Sequence, residues 1–182
     1  MPNCNITAGI GIICTDLRRT GGVAKNVWLG NISDLRAPFD VDSTSIISTI
    51  ELNTYATLYR FEGAKFAHMA TSNLVRTDSG NVSFTHELTM KVYNTNITDD
   101  QILQDLAVAE VFAIVQTNND DFFIYGPGNG LSASAIAAQT GKNAGDDSTT
   151  TVTLTGSERV MPKRFGLATK QLTLQRLAAQ TA

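Results

Sequence analysis

Two histidines, His68 and His86, and two cysteines, Cys4 and Cys14, are the side chains from which acid–base, nucleophilic or zinc chemistry would have to be built. A catalytic nucleophile needs a base within reach. His86 sits in the middle of an alternating run, on its apolar face, where a hydrogen-bonded core or interface histidine is expected rather than a catalytic one. His68 lies in a segment of undetermined type, and an ordinary surface or interface role is expected of it. No Gly-x-Ser-x-Gly elbow is present to display a serine. Zinc needs several Cys and His ligands at short spacing, which Cys4, Cys14, His68 and His86 lack. Asp120-Asp121 and Asp146-Asp147 are adjacent pairs whose side chains diverge, without the alternate-residue ligands of a calcium loop. Thr140-Gly141-Lys142-Asn143 is a fragment of a phosphate loop without its upstream glycine or its strand-to-helix setting. Gly126 to Gly130 lacks the second half of a dinucleotide fingerprint. The basic C-terminal region offers only Phe165 for stacking on bases. The sequence therefore predicts no catalytic residue, no metal site and no cofactor, and a structural rather than an enzymatic role.

The elements that would position these residues are organised around Gly80 to Tyr125. From Val82 to Tyr93, Val82, Phe84, His86, Leu88, Met90 and Val92 point one way, and Ser83, Thr85, Glu87, Thr89 and Lys91 the other. That period of two marks a strand with one buried and one wet face. Thr98 stands three residues before Gln101, the spacing of a reciprocal helix cap, and Asp99 and Asp100 suit the positive end of a helix dipole. Ile102, Leu103, Leu106 and Ala109 then recur at helical spacing, predicting a helix over 98–110 with one apolar stripe. Val111 to Gln116 and Phe122 to Tyr125 read as a hairpin whose loop, Thr117 to Asp121, holds Asn and Asp residues that tolerate left-handed backbone angles. The fold class that follows is mainly β (α+β): an antiparallel sandwich or partly open barrel with one short helix.

At 182 residues a single domain with a real core is expected. Charged residues make up 17% of the chain, below the roughly 25% usual in soluble domains, while Thr, Asn and Ser abound. That balance favours β structure and surfaces that dock onto protein. No run of about 18 apolar residues supports a membrane span, and the opening residues lack a secretory pattern, so a cytoplasmic chain is expected. Cys4 and Cys14 are then expected to be small buried hydrophobes, a bonded pair being the alternative. Net charge is −3, but the charges are segregated. Between Lys91 and Lys142 every charged residue is an acid: Asp99, Asp100, Asp105, Glu110, Asp120 and Asp121. After Glu158 every one is a base: Arg159, Lys163, Arg164, Lys170 and Arg176. Two ordinary solvated faces would explain this, and so would an acidic surface of one subunit meeting the basic end of the next.

In chain order, residues 1–45 hold N-terminal strands (Ile10 to Cys14, Val23 to Leu29) and a long loop from Asn31 to Ser45 with the chemistry of a docking segment. Residues 46–165 form the core, in which Ile46 to Leu52 and Thr54 to Glu62 read as a β pair. Gly63 to Asp78 is open between strand and helix, and Ser79-Gly80-Asn81 is a turn. The Ser/Ala/Gly run after Gly130 reads as a mobile surface loop or a segment ordered by a neighbour. Thr149 to Thr155 resumes strand alternation, which Pro162 ends or confines to an edge. Residues 166–182 form a basic tail placed only by its charge.

The order of long strand, capped helix, hairpin, Gly-rich loop and Thr-rich strand, carried by Gly80-Asn81-Val82-Ser83-Phe84, Thr98 to Glu110 and Asp147 to Phe165, resembles the tail-tube protein fold of bacteriophages. The opening Cys4-Asn5-Ile6-Thr7-Ala8-Gly9-Ile10, with Gly21 to Lys25 and Val27-Trp28-Leu29, is similar to structural proteins of phages of Bacteroidota, including crAss-like phages. The resemblance implies a virion protein, assembled in the host cytoplasm into homo-oligomeric rings, commonly of six copies and higher in head-to-tail connecting rings. Sheets of neighbouring subunits would join around a channel through which DNA passes without sequence recognition. Other tail or connector proteins would be further partners, and the Asn31 to Ser45 loop would reach an adjacent ring. An extracellular fimbria- or adhesin-like β module and a small hydrolase are the alternatives. The expected subunit interface places Arg159, Lys163 and Arg164 against Asp99, Asp100, Asp105, Asp120 and Asp121 of another copy.

Overall fold

Alternation in the sequence becomes two β layers with apolar residues between and behind them. The structure is a computed structural model and describes residues 21–39, 46–64, 66–93, 97–143, 148–166 and 177–180. Cys4, Cys14, Ile10 to Cys14 and most of the basic tail lie outside those residues. The strands are β1 (Val23–Asn31), β2 (Ile46–Ile47), β3 (Tyr59–Glu62), β4 (Met69–Arg76), β5 (Val82–Tyr93), β6 (Glu110–Thr117), β7 (Phe122–Tyr125), β8 (Leu131–Gln139), β9 (Thr149–Glu158) and β10 (Lys163–Phe165), and the helix α1 spans Ile97–Leu106. The fold is mainly β with one short helix, as the alternation predicts. One continuous path of paired strands runs β2-β10-β7-β6-β8-β9-β5-β4, with β1 joined to β6 and β3 to β1.

That path folds over on itself where β6 meets β8 at only two residue pairs, Glu110 with Ser132 and Val111 with Leu131. On one side lie β8, β9, β5 and β4; on the other lie β3, β1, β6, β7, β10 and β2. The inner faces meet in one cluster, which includes Leu88 and Met90 of β5, Val152 and Leu154 of β9, Val27 and Leu29 of β1, and Val111, Ala113 and Val115 of β6. Leu103 and Leu106 of α1 close it. The outward face of the second layer is apolar as well: Trp28, Phe112, Ile114, Phe122 and Ile124 join Phe39, Ile47, Ile50, Leu58, Phe165 and Leu177 in a second cluster. β6 is buried on both faces from Val111 to Gln116, which explains why it reads as a continuous apolar run rather than an alternating one.

Several expectations change. Ile46 to Leu52 and Thr54 to Glu62 are not partners: β2 pairs with β10 in parallel, and β3 pairs with β1. Thr54 and Tyr55 form a turn in which Tyr55 has φ 72°. Within Gly63 to Asp78, Met69–Arg76 is β4, which makes a hairpin with β5 through the turn at Gly80 (φ 85°). The Ser/Ala/Gly run is no loose loop, because its first nine residues are β8, paired along β9 from Ser132 to Gln139. Small side chains gave little periodic signal there, and backbone pairing orders the segment instead. The helix stops at Leu106, not 110, and Val108 beyond it is 88% exposed. Thr98 falls inside the first turn of α1 rather than ahead of it.

The described part of the long loop after β1 is built into the subunit. Leu35 bridges Leu52, Arg36 N–H donates to Glu51 O, Asn53 N–H donates to Asp34 O, and Phe39 meets Phe112 edge-on at 5.0 Å. The chain end is anchored too: Leu177 is fully buried, Leu58 N–H donates to Gln180 O at 2.6 Å, and Gln180 Nε2 donates to Ile50 O. Leu177 therefore belongs to the second cluster and Gln180 is bonded beside it, so neither is part of a free tail. Leu177→Ala should cost about 2–5 kcal/mol, the range for truncating a buried leucine, read from urea unfolding; a change within about 0.5 kcal/mol, the surface range, would contradict the anchoring.

Candidate functional site

His86 is a member of a buried polar latch. Its ring is fully buried, and Gly126 N–H donates to Nδ1 at 3.1 Å. With Nδ1 accepting, Nε2 carries the proton and donates to Val160 O at 3.0 Å. Tyr125 stands edge-on to it at 5.4 Å. Gly126 provides the positive φ of 67° that the reversal after β7 requires. Nearby, Glu158 is buried, and its Oε1 accepts the N–H groups of Gly128 and Asn129 at 3.0 and 2.8 Å, while Asn129 Nδ2 donates to Ser157 O. Both ends of the 126–130 turn are thus tied to β5 and β9 by side chains. The sequence placed His86 correctly as a hydrogen-bonded core residue, but it gave no sign of the buried Glu158, which looks like one more charge at a strand end. His68 is also buried, not on the surface, and receives Lys91 N–H on Nδ1 at 3.3 Å; Gly63 leaves room for its ring, since a Cβ there would collide with it.

The six acids of the sequence run do not form one surface. Asp99, Asp100 and Asp105 sit on α1, with Asp105 accepting from Gln101 Nε2 at 3.1 Å. Asp120 and Asp121 are turn builders at the far end of β6, about 24 Å away along the strand at ~3.4 Å per residue. Asp120 has φ 66° and accepts from Gln116 Nε2 at 3.1 Å. Asp121 N–H donates to Thr117 Oγ1, and Thr117 N–H to Asp121 O. The bases divide in the same way. Arg164 pairs with Asp121 of its own chain at 3.1 Å and lies 5.5 Å from the Phe123 ring centre, because β10 pairs directly with β7. The expected encounter of Arg164 with an acidic hairpin therefore occurs within one chain. With exposures of 49% and 30% the pair adds no more than about 1 kcal/mol. Arg159 is exposed on the turn between β9 and β10.

Between α1 and the β1–β3 pair lies a cleft of 610 Å³. Leu29, Leu103, Leu106 and Val111 floor it; Tyr59, Phe61 and Ile102 form its walls, and Arg60, Glu62, Asp99 and Asp105 stand around it. Among the described residues no histidine or serine lines it, and they supply there neither a nucleophile with a base nor a cluster able to hold a metal. Its chemistry suits apolar contact framed by negative charge. Five separate elements build it, which is why the sequence alone could not show it.

The remaining features are strand edges. Among the described residues no strand pairs with the outer edge of β4, nor with the edge of β8 that faces away from β9 beyond Ser132. Met69, Leu74 and Val75 on β4 and Ile136 on β8 are exposed there. The wet face between these edges carries Thr85, Glu87, Thr89 and Lys91 of β5 and Thr151, Thr153 and Thr155 of β9, placed side by side by their register.

Burial holds the His86 imidazole below its ordinary pKa, against weaker opposite pulls from the Glu158 carboxylate and the Val160 carbonyl. The unfolded residue takes up a proton as pH falls past about 6.5, and the folded one only at lower pH. This contribution to stability is therefore complete above pH ~6.5 and is lost as pH falls from there toward the folded value, at no more than about 1.4 kcal/mol per pH unit. Urea unfolding between pH 7.5 and 5 should show the gap between wild type and His86→Gln narrowing as pH falls; a constant gap would contradict the latch. No family model, no curated protein and no solved structure matches this chain.

Proposed function

We propose that this protein is a bacteriophage virion component that assembles from identical copies into a ring or tube around the DNA channel of a tail or head–tail connector, with no catalytic activity. The observation that supports this reading is the pair of open edges on one four-stranded layer. β8 runs antiparallel to β9, β9 to β5, and β5 to β4. β4 and β8 therefore point in opposite directions, so β4 of one copy beside β8 of an identically oriented neighbour continues the alternation without a break. Repeated around an axis, such a contact is heterologous and closes into a ring, which removes both edges. The two edges are of similar length, eight residues in β4 and seven in β8 beyond Ser132. Neither carries the lysines or prolines that protect edges meant to stay solvated; Arg76, at the end of β4, is the one charge on them.

Curvature then orients the wall. The second layer and α1 lie on one side of that sheet, so closure with the bulk outward turns the threonine-rich face toward the channel. Glu87 and Lys91 are the charges that β5 and β9 bring to the described part of this face. A hydroxyl surface with few cations has little means of holding phosphates, which suits passage of DNA rather than its retention. The neighbouring rings and connector proteins of such a particle would be its further partners.

Negative-stain microscopy of the purified protein should show rings or short tubes. Ile136→Lys places a charge in the middle of the β8 edge at a residue already 38% exposed; the subunit should keep its melting profile while ring formation falls by about tenfold or more, the factor expected for losing one central contact. A wild-type chain that stays monomeric at high concentration would sink the proposal.

A further inference from the structure

We propose that the cleft between α1 and β3 is a socket for the turn Arg159 to Lys163 of a second copy, forming an end-to-end contact separate from the edge pairing. It rests on the self-assembly reading above and adds to it a second, chemically different interface.

Three observations carry it. First, socket and plug match in chemistry. The cleft is apolar at its base and has three carboxylates at its rim, Glu62, Asp99 and Asp105, against one guanidinium, Arg60, which lies 3.7 Å from Glu62. The turn presents Met161, 60% exposed, between Arg159 and Lys163 in the sequence. A flexible apolar side chain flanked by cations is the complement of an apolar floor edged with acids, and Met and Arg are enriched at protein interfaces. Second, the cleft walls hold apolar surface that the described residues leave open: Tyr59 is 47% and Ile102 46% exposed. Third, the two surfaces lie apart along β5: β9 runs out into the turn at Glu158, opposite Phe84 near the start of β5, and the cleft lies at the far end of β5. Val160 O is bonded to His86, while Val92 lines the cleft, six residues further on and about 20 Å away at ~3.4 Å per residue. The plug of one subunit therefore cannot enter its own socket. Joining the plug of one copy to the socket of the next is heterologous and directional, and it propagates along the strands, across the direction in which edge pairing propagates. The Arg164–Asp121 pair stays within the subunit and takes no part.

Two measurements test this. Ile102→Cys with Met161→Cys, in a background with Cys4→Ser and Cys14→Ser, should give on mild oxidation a ladder of covalent multimers, which neither single cysteine gives. The ladder should persist when Ile136→Lys has abolished rings, which separates a failure of the socket from a failure of ring closure. Met161→Asp should leave individual rings intact in micrographs while raising the concentration needed for stacking by about tenfold or more, and Asp105→Lys should do the same in low salt with a smaller effect in high salt. Absence of the ladder, or stacking unchanged by Met161→Asp, would overturn the socket. Loss of rings themselves with Met161→Asp in a folded chain would place the turn in the lateral contact and overturn its end-to-end assignment.

Discussion

An unpaired strand edge is a row of backbone donors and acceptors that water satisfies only as long as no other strand is offered, and this constraint governs the subunit. β5 has both edges taken, by β4 and β9, and is the longest strand. β6 is paired with β1 and β7 and turns the corner to β8. In the layer of β5 the deficit is pushed outward to β4 and the far half of β8, while in the other layer the short strands β2 and β3 have one partner each among the described residues. β4 and β8 keep residues that do nothing to discourage a partner: alanine, serine and threonine, with Leu74, Val75 and Ile136 partly bare. The interior explains why those edges can hold their shape. Small side chains on β8 contribute little burial beyond Leu131, so its order depends on the β9 ladder and on the turn that delivers it.

That turn is where the fold places two of its buried polar groups. A carboxylate and an imidazole taken out of water require partners, and here Glu158 and His86 find them in the backbone of 126–130 and in Val160. Gly156, opposite His86 in the β5–β9 ladder, allows the Gly130 carbonyl to approach so closely that a Cβ would collide with it. Loop, strand end and β8 entry are thereby fixed to one another. The position of the open β8 edge relative to β4 follows from these contacts, as does that of the turn bearing Met161, one residue past Val160 of the latch.

How much of this could be read from the chain depends on what kind of signal each residue emits. β5 was legible because Phe84 to Val92 alternate without interruption, and the 117–121 hairpin because Asp120 is the kind of residue that accepts φ 66°. β8 was not, since alanine and serine are equally at home on either face of a strand or in no structure at all. The partnership of β2 with β10 spans more than a hundred residues and has no local trace. Leu177 reads as tail until Leu58, Ile50 and Phe165 are seen around it. Charge order along the chain also misled: Asp99 and Asp121 belong to one acidic run but to opposite ends of β6, and Arg164 found its acid at home. The cleft is a product of topology alone.

The two proposed interfaces differ in physical character, and the difference would be consequential for an assembly. Edge pairing exchanges peptide–water for peptide–peptide hydrogen bonds along a sheet; it carries no net charge, is barely screened by salt, and is the same at every step around an axis. The plug and socket combine a small apolar burial with charges at a partly solvated rim, so their strength falls as ionic strength rises. Lateral closure would therefore be the more durable step and axial growth the adjustable one. A chain with only the first would stop at rings; one with only the second would form strings with exposed sheet edges, prone to the uncontrolled pairing that natural β proteins avoid. Closing the edges before the ends engage is the order in which neither surface is left open to the wrong partner.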